Sequence, residues 1–337
     1  MKIAILTPTF NYYSGIDRVV QQQAEEYAKK KNKVTVIALE ANIKPKGYSL
    51  VELGMPKSPF LQRIYRLFFF LDFKNISYYK NLKNYDMVIS HFYPMNWLAC
   101  KAKKKYKLKY IYWDHGINTT GLLDNFMQKL YMEIFLLFNN LTLKNIDRAY
   151  SVSKYLSDVL YKESSIKSKV AYNRIDNKRF NKKVNGNKII SKYNLKNKKI
   201  LLYVGRIAPH KGIHLLLKVF NNVKKHIPNA KLLIVGKPTF NSYFKKQKRM
   251  VGKDIIFTGF VPDEELPYYY AACDIYVTAS QWEGFNLPAA EAQACGKKVI
   301  AFNIGSHPEI VKNGALVEKN NIGKFAEEVI KILKNQK

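Results

Sequence analysis

The chain has 337 residues, which is enough for two domains of ordinary size. Hydrophobic residues make up 47% of it and aromatic residues 14%, so the chain can bury a core and is neither disordered nor fibrous. Its formal net charge of +32 favours an anionic partner, which is a membrane surface, nucleic acid or a phosphorylated substrate, although a compositional bias explains the charge equally well.

Strand-like and helix-like runs alternate along the whole chain, which is the pattern of a doubly wound α/β fold with parallel sheets. The first half predicts a glycine loop ending at Ser14 and Gly15. One helix is predicted after this loop and another after residue 153. The strands predicted in this half are residues 2–7, 33–39, 49–53, 86–90, 110–113, 147–153 and 169–173.

An amphipathic segment at residues 59–79 carries basic residues beside an apolar side. This side either packs on the sheet or enters a lipid interface, and core packing is the favoured alternative. Its aromatic residues include Tyr65, Phe68, Phe69, Phe70 and Phe73. No segment approaches the roughly 20 apolar residues that span a bilayer. We therefore expect a protein that is soluble or lies on a membrane.

The composition turns polar and basic at residues 174–197, which predicts a linker and the opening of a second domain. We expect one Rossmann-like domain at residues 1–173 and another at residues 174–337. The elements predicted in the second are strands at 200–204, 231–235, 255–258, 274–280 and 298–302, and helices at 212–226, 264–271, 288–295 and 322–333.

The three cysteines, Cys100, Cys273 and Cys295, are too few and too widely spaced for a disulfide framework or a zinc site. A reducing compartment, the cytoplasm, is the simplest expectation. The apolar run at the N-terminus is short and lacks a cleavage site, so we expect a first strand there and no signal peptide.

The segment from Glu283 to Gly296 predicts a loop followed by a short helix, because Pro288 suits a first helical residue and Gly296 a helix end. Glu283 is then on the loop and Glu291 on the first helical turn. A glycine loop before a helix N-terminus binds anions, and two flanking carboxylates suit the hydroxyls of a sugar or ribose. The alternative is a capping carboxylate with an exposed helix glutamate.

A second loop, from Gly205 to Gly212, follows the strand predicted at residues 200–204. It matches neither the dinucleotide nor the P-loop fingerprint. Arg206 and Lys211 can grip a diphosphate, Gly212 permits close backbone approach, and neither cation has an expected role in the core. Basic loops are usually only solvated, but the Glu283 segment at a neighbouring strand end strengthens the signal. His115 also follows a strand, at the edge where parallel sheets bind ligands.

These motifs resemble the retaining group 1 glycosyltransferases of family 4, and the resemblance covers nearly the whole chain. The family's GT-B fold has two facing Rossmann-like doubly wound parallel sheets with an interdomain cleft. The matching segments are 14–20 (first glycine loop), 152–153 and 173–176 with Phe180 (domain-crossing stretch), 204–212 (phosphate loop), 283–296 (best-known signature) and 305–309.

The resemblance implies that Arg206 and Lys211 bind the donor diphosphate and that Glu291 binds the ribose. Glu283 lies beside the donor sugar, and His115 contacts that sugar from the first domain. The other donor-binding residues it implies are Gly15, Gly205 and Gly284, and the amides of Phe285, Asn286 and Leu287. It also implies retention by front-face attack, with the leaving diphosphate taking the acceptor's proton. No metal or cofactor is expected beyond the nucleotide sugar as co-substrate.

Three residues depart from the family pattern: Ser14, Arg174 and Ser306 each stand where the family usually has glycine. The change at Ser306 is expected to alter the pocket near the sugar. The chain also stops soon after Leu333, so we expect the family's terminal helix to be shortened.

The first hypothesis is transfer of a hexose from a UDP- or GDP-sugar to a glycan or lipid-linked acceptor in cell-surface polysaccharide or glycoconjugate synthesis. The second is a nucleotide-sugar epimerase on the same fold. The third is a basic nucleic-acid binder without enzymatic activity, although no nucleic-acid motif is present and nucleic acid is not expected as a partner. The expected location is the cytoplasm, with peripheral binding to the anionic inner face of the membrane as an alternative.

Overall fold

Strands and helices alternate along most of the computed structural model, which describes residues 1–11, 15–116 and 126–335. Each strand pair found in it is parallel. The chain divides into two units, Met1–Asn173 and Arg174–Lys337, and the domain boundary predicted from the sequence lies at the same position. The two parallel sheets agree with the predicted fold class.

The first unit is built on a seven-stranded sheet. Its strands are β1 (Lys2–Phe10), β2 (Lys33–Ala41), β3 (Ser49–Glu52), β4 (Met87–Ser90), β5 (Lys109–Asp114), β6 (Arg148–Ser151) and β7 (Lys169–Val170). Its helices are α1 (Gly15–Lys29), α2 (Pro59–Leu67), α3 (Phe73–Ser77), α4 (Asn96–Tyr106), α5 (Phe126–Leu143) and α6 (Lys154–Ser164), with 3₁₀ turns at Phe69–Leu71 and Tyr78–Asn84. The strand order is β3-β2-β1-β4-β5-β6-β7.

The second unit is built on a six-stranded sheet. Its strands are β8 (Lys199–Val204), β9 (Ala230–Val235), β10 (Ile255–Gly259), β11 (Ile275–Thr278), β12 (Lys298–Phe302) and β13 (Gly314–Val317). Its helices are α7 (Asn187–Lys192), α8 (Ile213–His226), α9 (Asn241–Arg249), α10 (Leu266–Ala272), α11 (Leu287–Ala294), α12 (His307–Ile310) and α13 (Ile322–Lys334), with 3₁₀ turns at Pro209–Lys211 and Asp263–Glu265. The strand order is β10-β9-β8-β11-β12-β13.

The second sheet is covered on both faces, which explains why its strands read as continuous apolar runs. On one face, Phe220 of α8 and Phe325 of α13 pack against alternate strand residues. On the other, Tyr270 of α10 and Ala289 of α11 do the same. The core therefore fixes the ends of the strands from both sides.

In each sheet the strand order reverses direction once, between β1 and β4 in the first and between β8 and β11 in the second. Connections from the two central strands leave toward opposite faces at such a point, which opens a crevice at their carboxyl ends. The loops after β8 and β11 are the two that the sequence analysis selects as a binding site.

Several elements of the structure have no counterpart among the sequence predictions, and α5, α4, α9 and α7 are the longest α-helices among them. Four lysines in the eleven residues of α4 leave it a narrow apolar side made of small residues such as Ala99 and Ala102. Helix α5 differs in the opposite way: its apolar side is too broad to define, because apolar residues occur almost all round the helix. Neither pattern shows a clear helical period.

The segment at residues 59–79 forms α2, a 3₁₀ turn and α3 instead of one continuous element. Phe69 and Ile76 are buried, as core packing predicts. Phe60 and Phe73, in contrast, are 68% and 78% exposed, so core packing is wrong for this side of the segment. No helix within the described ranges is both long enough and apolar enough to cross a membrane.

Asp17, in the first turn of α1, is a buried carboxyl that ties this helix to the end of β1. It accepts hydrogen bonds from the Asn11 backbone N–H at 3.0 Å and the Thr9 hydroxyl at 3.3 Å. Burial nevertheless outweighs these bonds and raises the pKa of Asp17 from 3.8 to about 7. The folded protein thus binds this proton more tightly than the unfolded chain does.

We expect Asp17→Asn to remove a pH dependence from the stability of the fold. A raised carboxyl pKa makes stability fall as pH rises from about 4 to about 7, by roughly 4 kcal/mol at most for three pKa units. Thermal unfolding midpoints at pH 5, 6, 7 and 8 should therefore decline less in Asp17→Asn than in the wild type. The exposed Asp158→Asn is the control. Equal declines in Asp17→Asn and the wild type would contradict this assignment.

Candidate active site

The loops that follow β8 and β11 meet at the carboxyl edge of the second sheet. These strands are parallel neighbours, with Leu201 beside Ile275, which confirms the expected adjacency. Gly212 has a φ of 64°, and a Cβ there would lie 1.9 Å from the Ala279 carbonyl oxygen. Only glycine fits this approach. Gly212 was predicted to permit a close backbone approach, and the backbone that lies close to it is that of Ala279 in the neighbouring loop.

Lys211 and Glu283 form an ion pair between these two loops. The Lys211 Nζ lies 2.7 Å from the Glu283 Oε1, and the two side chains are only 16% and 10% exposed. Burial raises the pKa of Glu283, but the charge and hydrogen bond of Lys211, together with a hydrogen bond from Ser280, outweigh burial and leave this pKa below its ordinary value. Glu283 is therefore ionised at neutral pH. Lys211 consequently has a structural role that the sequence analysis did not expect.

Arg206, the other cation of the phosphate loop, is exposed. It forms no ion pair within the described part of the chain. Its backbone carbonyl accepts a hydrogen bond from the buried Tyr203 hydroxyl at 3.0 Å, which fixes the loop and leaves the guanidinium at the surface. Of the three charges of Arg206, Lys211 and Glu283, the last two compensate each other, so the local excess is one positive charge.

The loop that carries Glu283 is held from a third strand end. The backbone N–H and the hydroxyl of Ser306 both donate to the Glu283 carbonyl oxygen, at 3.2 and 3.3 Å. Gly305 has a φ of 50°, and a Cβ there would lie 2.4 Å from the same oxygen. Ser306, which stands where the family usually has glycine, thus adds a buried hydroxyl that donates a hydrogen bond to the Glu283 loop. Arg174 is exposed, and Ser14 lies outside the described residues.

Helix α11 begins at Leu287, so Pro288 is its second residue and not its first as predicted. The N-cap is Asn286, which adopts a left-handed φ of 68° and accepts a hydrogen bond from the Ala289 N–H at 3.2 Å. Its amide nitrogen donates to the His307 Nε2 at 2.8 Å, while the His307 Nδ1–H donates to the Phe302 carbonyl at 2.7 Å. Both ring nitrogens are used, and burial lowers the pKa of His307, so it stays neutral.

Glu291 is the fifth residue of α11, which puts it on the second turn and corrects the prediction of the first. The cause is the left-handed Asn286 cap, because the helix starts one residue earlier than the proline suggests. Glu291 is buried, and its Oε2 accepts a hydrogen bond from the Tyr270 hydroxyl at 2.7 Å. It is therefore an oriented carboxylate, and the alternative of an exposed helix glutamate is wrong.

In the first unit, His115 belongs to a chain of three side chains. The His115 Nε2 lies 2.9 Å from the Nδ1 of His91, and the His91 Nε2 lies 2.9 Å from the Gln23 Oε1. His91 follows β4 as His115 follows β5, and both histidines are buried. His91 is absent from the sequence predictions, although a histidine directly after a predicted strand, beside another such strand, is the signal that would have found it.

Burial lowers the pKa of both histidines, to about 3 for His115, and proximity to His115 lowers that of His91 further. Both rings are thus neutral, and each carries one proton. The Gln23 oxygen accepts from the His91 Nε2–H, so the His91 Nδ1 accepts from the His115 Nε2–H. The His115 Nδ1 is left as a hydrogen-bond acceptor.

The other predicted residues fall in two groups. In the second unit, those implied to bind the donor lie in the loops after β8 and β11 or on α11: Gly205, Arg206, Lys211, Glu283, Gly284, Phe285, Asn286, Leu287 and Glu291. In the first, Gly15 is the first residue of α1 and His115 follows β5. Within the described ranges, no group of three or more His, Cys, Asp or Glu residues is arranged to hold a metal ion.

Two family models match the chain and between them span nearly all of it. The model of glycosyltransferase family 4 matches residues 13–179, and the model of the group 1 glycosyl transferases matches residues 186–337. The change from one model to the other falls close to the division between the two units.

Curated relatives agree with these models. An uncharacterized glycosyltransferase of Methanocaldococcus jannaschii is 29% identical over 282 residues, which are 78% of this chain and 73% of that protein. The O-antigen chain mannosyltransferase B of Escherichia coli is 32% identical over 155 residues, 44% of this chain and 40% of that protein. The matched part thus spans well under two thirds of the second relative's length.

Solved structures share the fold. A sucrose-phosphate synthase from Thermosynechococcus elongatus superposes with a TM-score of 0.82 at 22% identity, covering 99% of this chain and 90% of that one. The Anabaena protein HepE, solved with UDP-glucose, superposes with a TM-score of 0.75 at 18% identity, covering 99% and 93%. With both family models matched and these folds shared, the chain belongs to the group 1 glycosyltransferases of family 4 and has the GT-B fold.

Proposed function

We propose that the enzyme transfers a hexose, with retention, from a UDP- or GDP-sugar to a glycan or lipid-linked acceptor in cell-surface polysaccharide or glycoconjugate synthesis. The observation that carries the donor assignment is the Lys211–Glu283 pair beside the exposed Arg206, at the start of α11. The name of the Escherichia coli relative supports a role in surface polysaccharide synthesis, and the Anabaena structure with bound UDP-glucose supports a nucleotide-sugar donor.

The diphosphate is assigned to Arg206 and Lys211. Negative charge develops on the leaving diphosphate during transfer, and fixed cations stabilise it where it forms. The helix dipole at the start of α11 acts in the same sense. Because Glu283 already neutralises Lys211, Arg206 supplies the uncompensated charge and Lys211 supplies a donor of fixed position. This counter-charge comes from side chains, so we propose a mechanism without a metal ion.

The donor sugar and ribose are assigned to the acidic residues. Glu291, which Tyr270 orients, is proposed to accept hydrogen bonds from the ribose hydroxyls. Glu283 is proposed to lie beside the sugar, together with the amides of Phe285, Asn286 and Leu287. The ion pair with Lys211 uses the Oε1 of Glu283 and not its Oε2. Transfer then proceeds by front-face attack, and the leaving diphosphate takes the acceptor's proton.

In the first unit, Gly15 is proposed to lie near the phosphates, and His115 is proposed to accept a hydrogen bond from a sugar hydroxyl through Nδ1. The proposed location is the cytoplasm. All three cysteines are free and buried, which is the usual state in a reducing compartment.

We expect His115 to carry its proton on Nε2 because Gln23 sets the tautomer of His91. Nitrogen-15 and carbon-13 NMR of the histidine side chains reports this tautomer without any substrate. Gln23→Leu removes the acceptor, so His115 should then populate both tautomers, whereas Gln23→Glu retains the acceptor and should restore Nε2–H. A wild-type His115 protonated on Nδ1 would contradict the proposed role.

We expect Arg206→Ala to lose activity by roughly 10²–10³-fold, or about 2.7–4 kcal/mol of transition-state stabilisation, without loss of stability. Lys211→Ala should lose similar activity and also about 3–5 kcal/mol of folding free energy, because it leaves the buried Glu283 unpaired. Lys211→Ala/Glu283→Gln should recover stability and no activity.

The assay measures release of nucleoside diphosphate in EDTA, with a donor and acceptor found by screening UDP- and GDP-sugars against glycan and lipid extracts. NMR of the product should show the donor's anomeric configuration. Arg249→Ala, an exposed arginine on α9, is the matched control. Wild-type turnover in Arg206→Ala would refute the diphosphate assignment.

A further inference from the structure

Exposed apolar side chains are concentrated in one part of the first unit. Of the nineteen exposed large hydrophobic residues in the described chain, eleven lie on α5 or in the segment from α2 to α3. They include Phe73 and Phe126, which are 78% and 74% exposed. The others are Phe60, Leu61, Ile64, Phe68, Leu71, Met127, Leu130, Leu137 and Leu141. Scattered apolar residues need no explanation, but a concentration of this kind marks an interaction surface.

The two segments that carry these residues pack against each other. The rings of Phe68 and Phe70 contact Phe138 of α5 at centroid distances of 6.4 and 5.1 Å. The Tyr131 hydroxyl of α5 donates to the Arg63 carbonyl of α2 at 3.3 Å. The exposed residues of the two segments therefore lie on parts of the chain that pack together, and we call these eleven residues the α2–α5 surface.

On α5 the exposed residues share one side of the helix. Phe126, Leu130, Leu137 and Leu141 recur at intervals of four or seven residues, which aligns them along one face. The buried Phe135, Asn139 and Thr142 occupy the opposite face. The helix thus has a core-facing side and a second apolar side that stays exposed.

The charges around the α2–α5 surface are mostly positive. Residues 57–84 and 126–143 contain seven basic and two acidic side chains. Lys57, Lys74 and Lys129 are exposed among the apolar residues. Basic groups beside exposed aromatic and aliphatic side chains complement an anionic bilayer, whose headgroups attract the cations while its interface accepts the apolar groups.

We propose that the α2–α5 surface docks on an anionic lipid bilayer. A second copy of the chain is a poorer occupant, because a twofold interface would bring these basic residues against their own copies. Each Lys or Arg near an anionic membrane contributes modestly, and insertion of several apolar side chains adds to it, so binding is reversible and sensitive to salt. The proposal needs neither the donor nor the acceptor assigned above.

Co-sedimentation with vesicles tests the proposal on the full chain. The wild type should bind vesicles of phosphatidylcholine with phosphatidylglycerol at least tenfold more tightly than vesicles of phosphatidylcholine alone at low salt. Phe73→Ser/Phe126→Ser should weaken binding to the anionic vesicles at least tenfold, and so should Lys57→Glu/Lys74→Glu/Lys129→Glu. All substituted side chains are exposed, and unchanged thermal midpoints will show that the variants fold.

Matched controls change the same chemistry elsewhere. Tyr161→Ser/Met250→Ser removes two other exposed apolar side chains, and Lys196→Glu/Lys225→Glu/Lys245→Glu makes the same charge change in the second unit. Both should bind within twofold of the wild type. Equal losses in the controls, or wild-type binding by the α2–α5 variants, would overturn the proposal. The proposal would also be overturned if the wild type binds no vesicles and instead forms a dimer that the Phe73→Ser/Phe126→Ser substitutions dissociate.

Discussion

The buried ion pair between Lys211 and Glu283 is the interaction on which the second unit's site depends. Two opposite charges 2.7 Å apart attract strongly where water is excluded, but each loses its hydration, so such a pair is stable only when its surroundings hold the geometry. Here the backbone of the neighbouring loops provides that support. Gly212 lets one loop reach Ala279, and Gly305 with Ser306 holds the Glu283 carbonyl from the other side.

The sheet explains why these loops meet. Strands β8, β11 and β12 are consecutive in the sheet order, so the loops after them share one edge. The loop after β8 carries the cations, and the loop after β11 carries Glu283 and leads into α11. The loop after β12 supports Glu283 and the start of α11. His307 extends this support, since it links the Asn286 cap to the end of β12. A rigid frame of this kind suits stabilisation of a charge that appears only during reaction.

The positions of these loops could be predicted from the sequence because strand ends and helix starts have local signals. The apolar runs located β8 and β11, and glycine and proline marked the loops between strand and helix. Two details escaped it. The left-handed cap at Asn286 starts α11 one residue earlier than predicted, which makes Glu291 the fifth helical residue instead of the fourth. The Lys211–Glu283 pair joins residues 72 positions apart, and no local pattern reveals such a contact.

The first unit shows the other limit of sequence reasoning. The aromatic residues at 59–79 indicate an apolar side, but periodicity cannot distinguish a side that packs on the sheet from one that stays exposed. Phe69 and Phe73, four residues apart, differ in burial because Phe69 belongs to a 3₁₀ turn that separates α2 from α3, whereas Phe73 begins α3. Likewise His91 and His115 are 24 residues apart, and only the pairing of β4 with β5 brings them together.

The central claim is that side chains of the second unit bind a nucleoside diphosphate without a metal ion. Thermal unfolding in EDTA with UDP, GDP or ADP tests it most directly, because a ligand at 100 times its dissociation constant adds about 2.7 kcal/mol to stability. The account predicts that at least one of the three raises the unfolding midpoint and that Arg206→Ala greatly reduces this shift. No shift with any of them, or a shift that requires added Mn²⁺ or persists unchanged in Arg206→Ala, would contradict it.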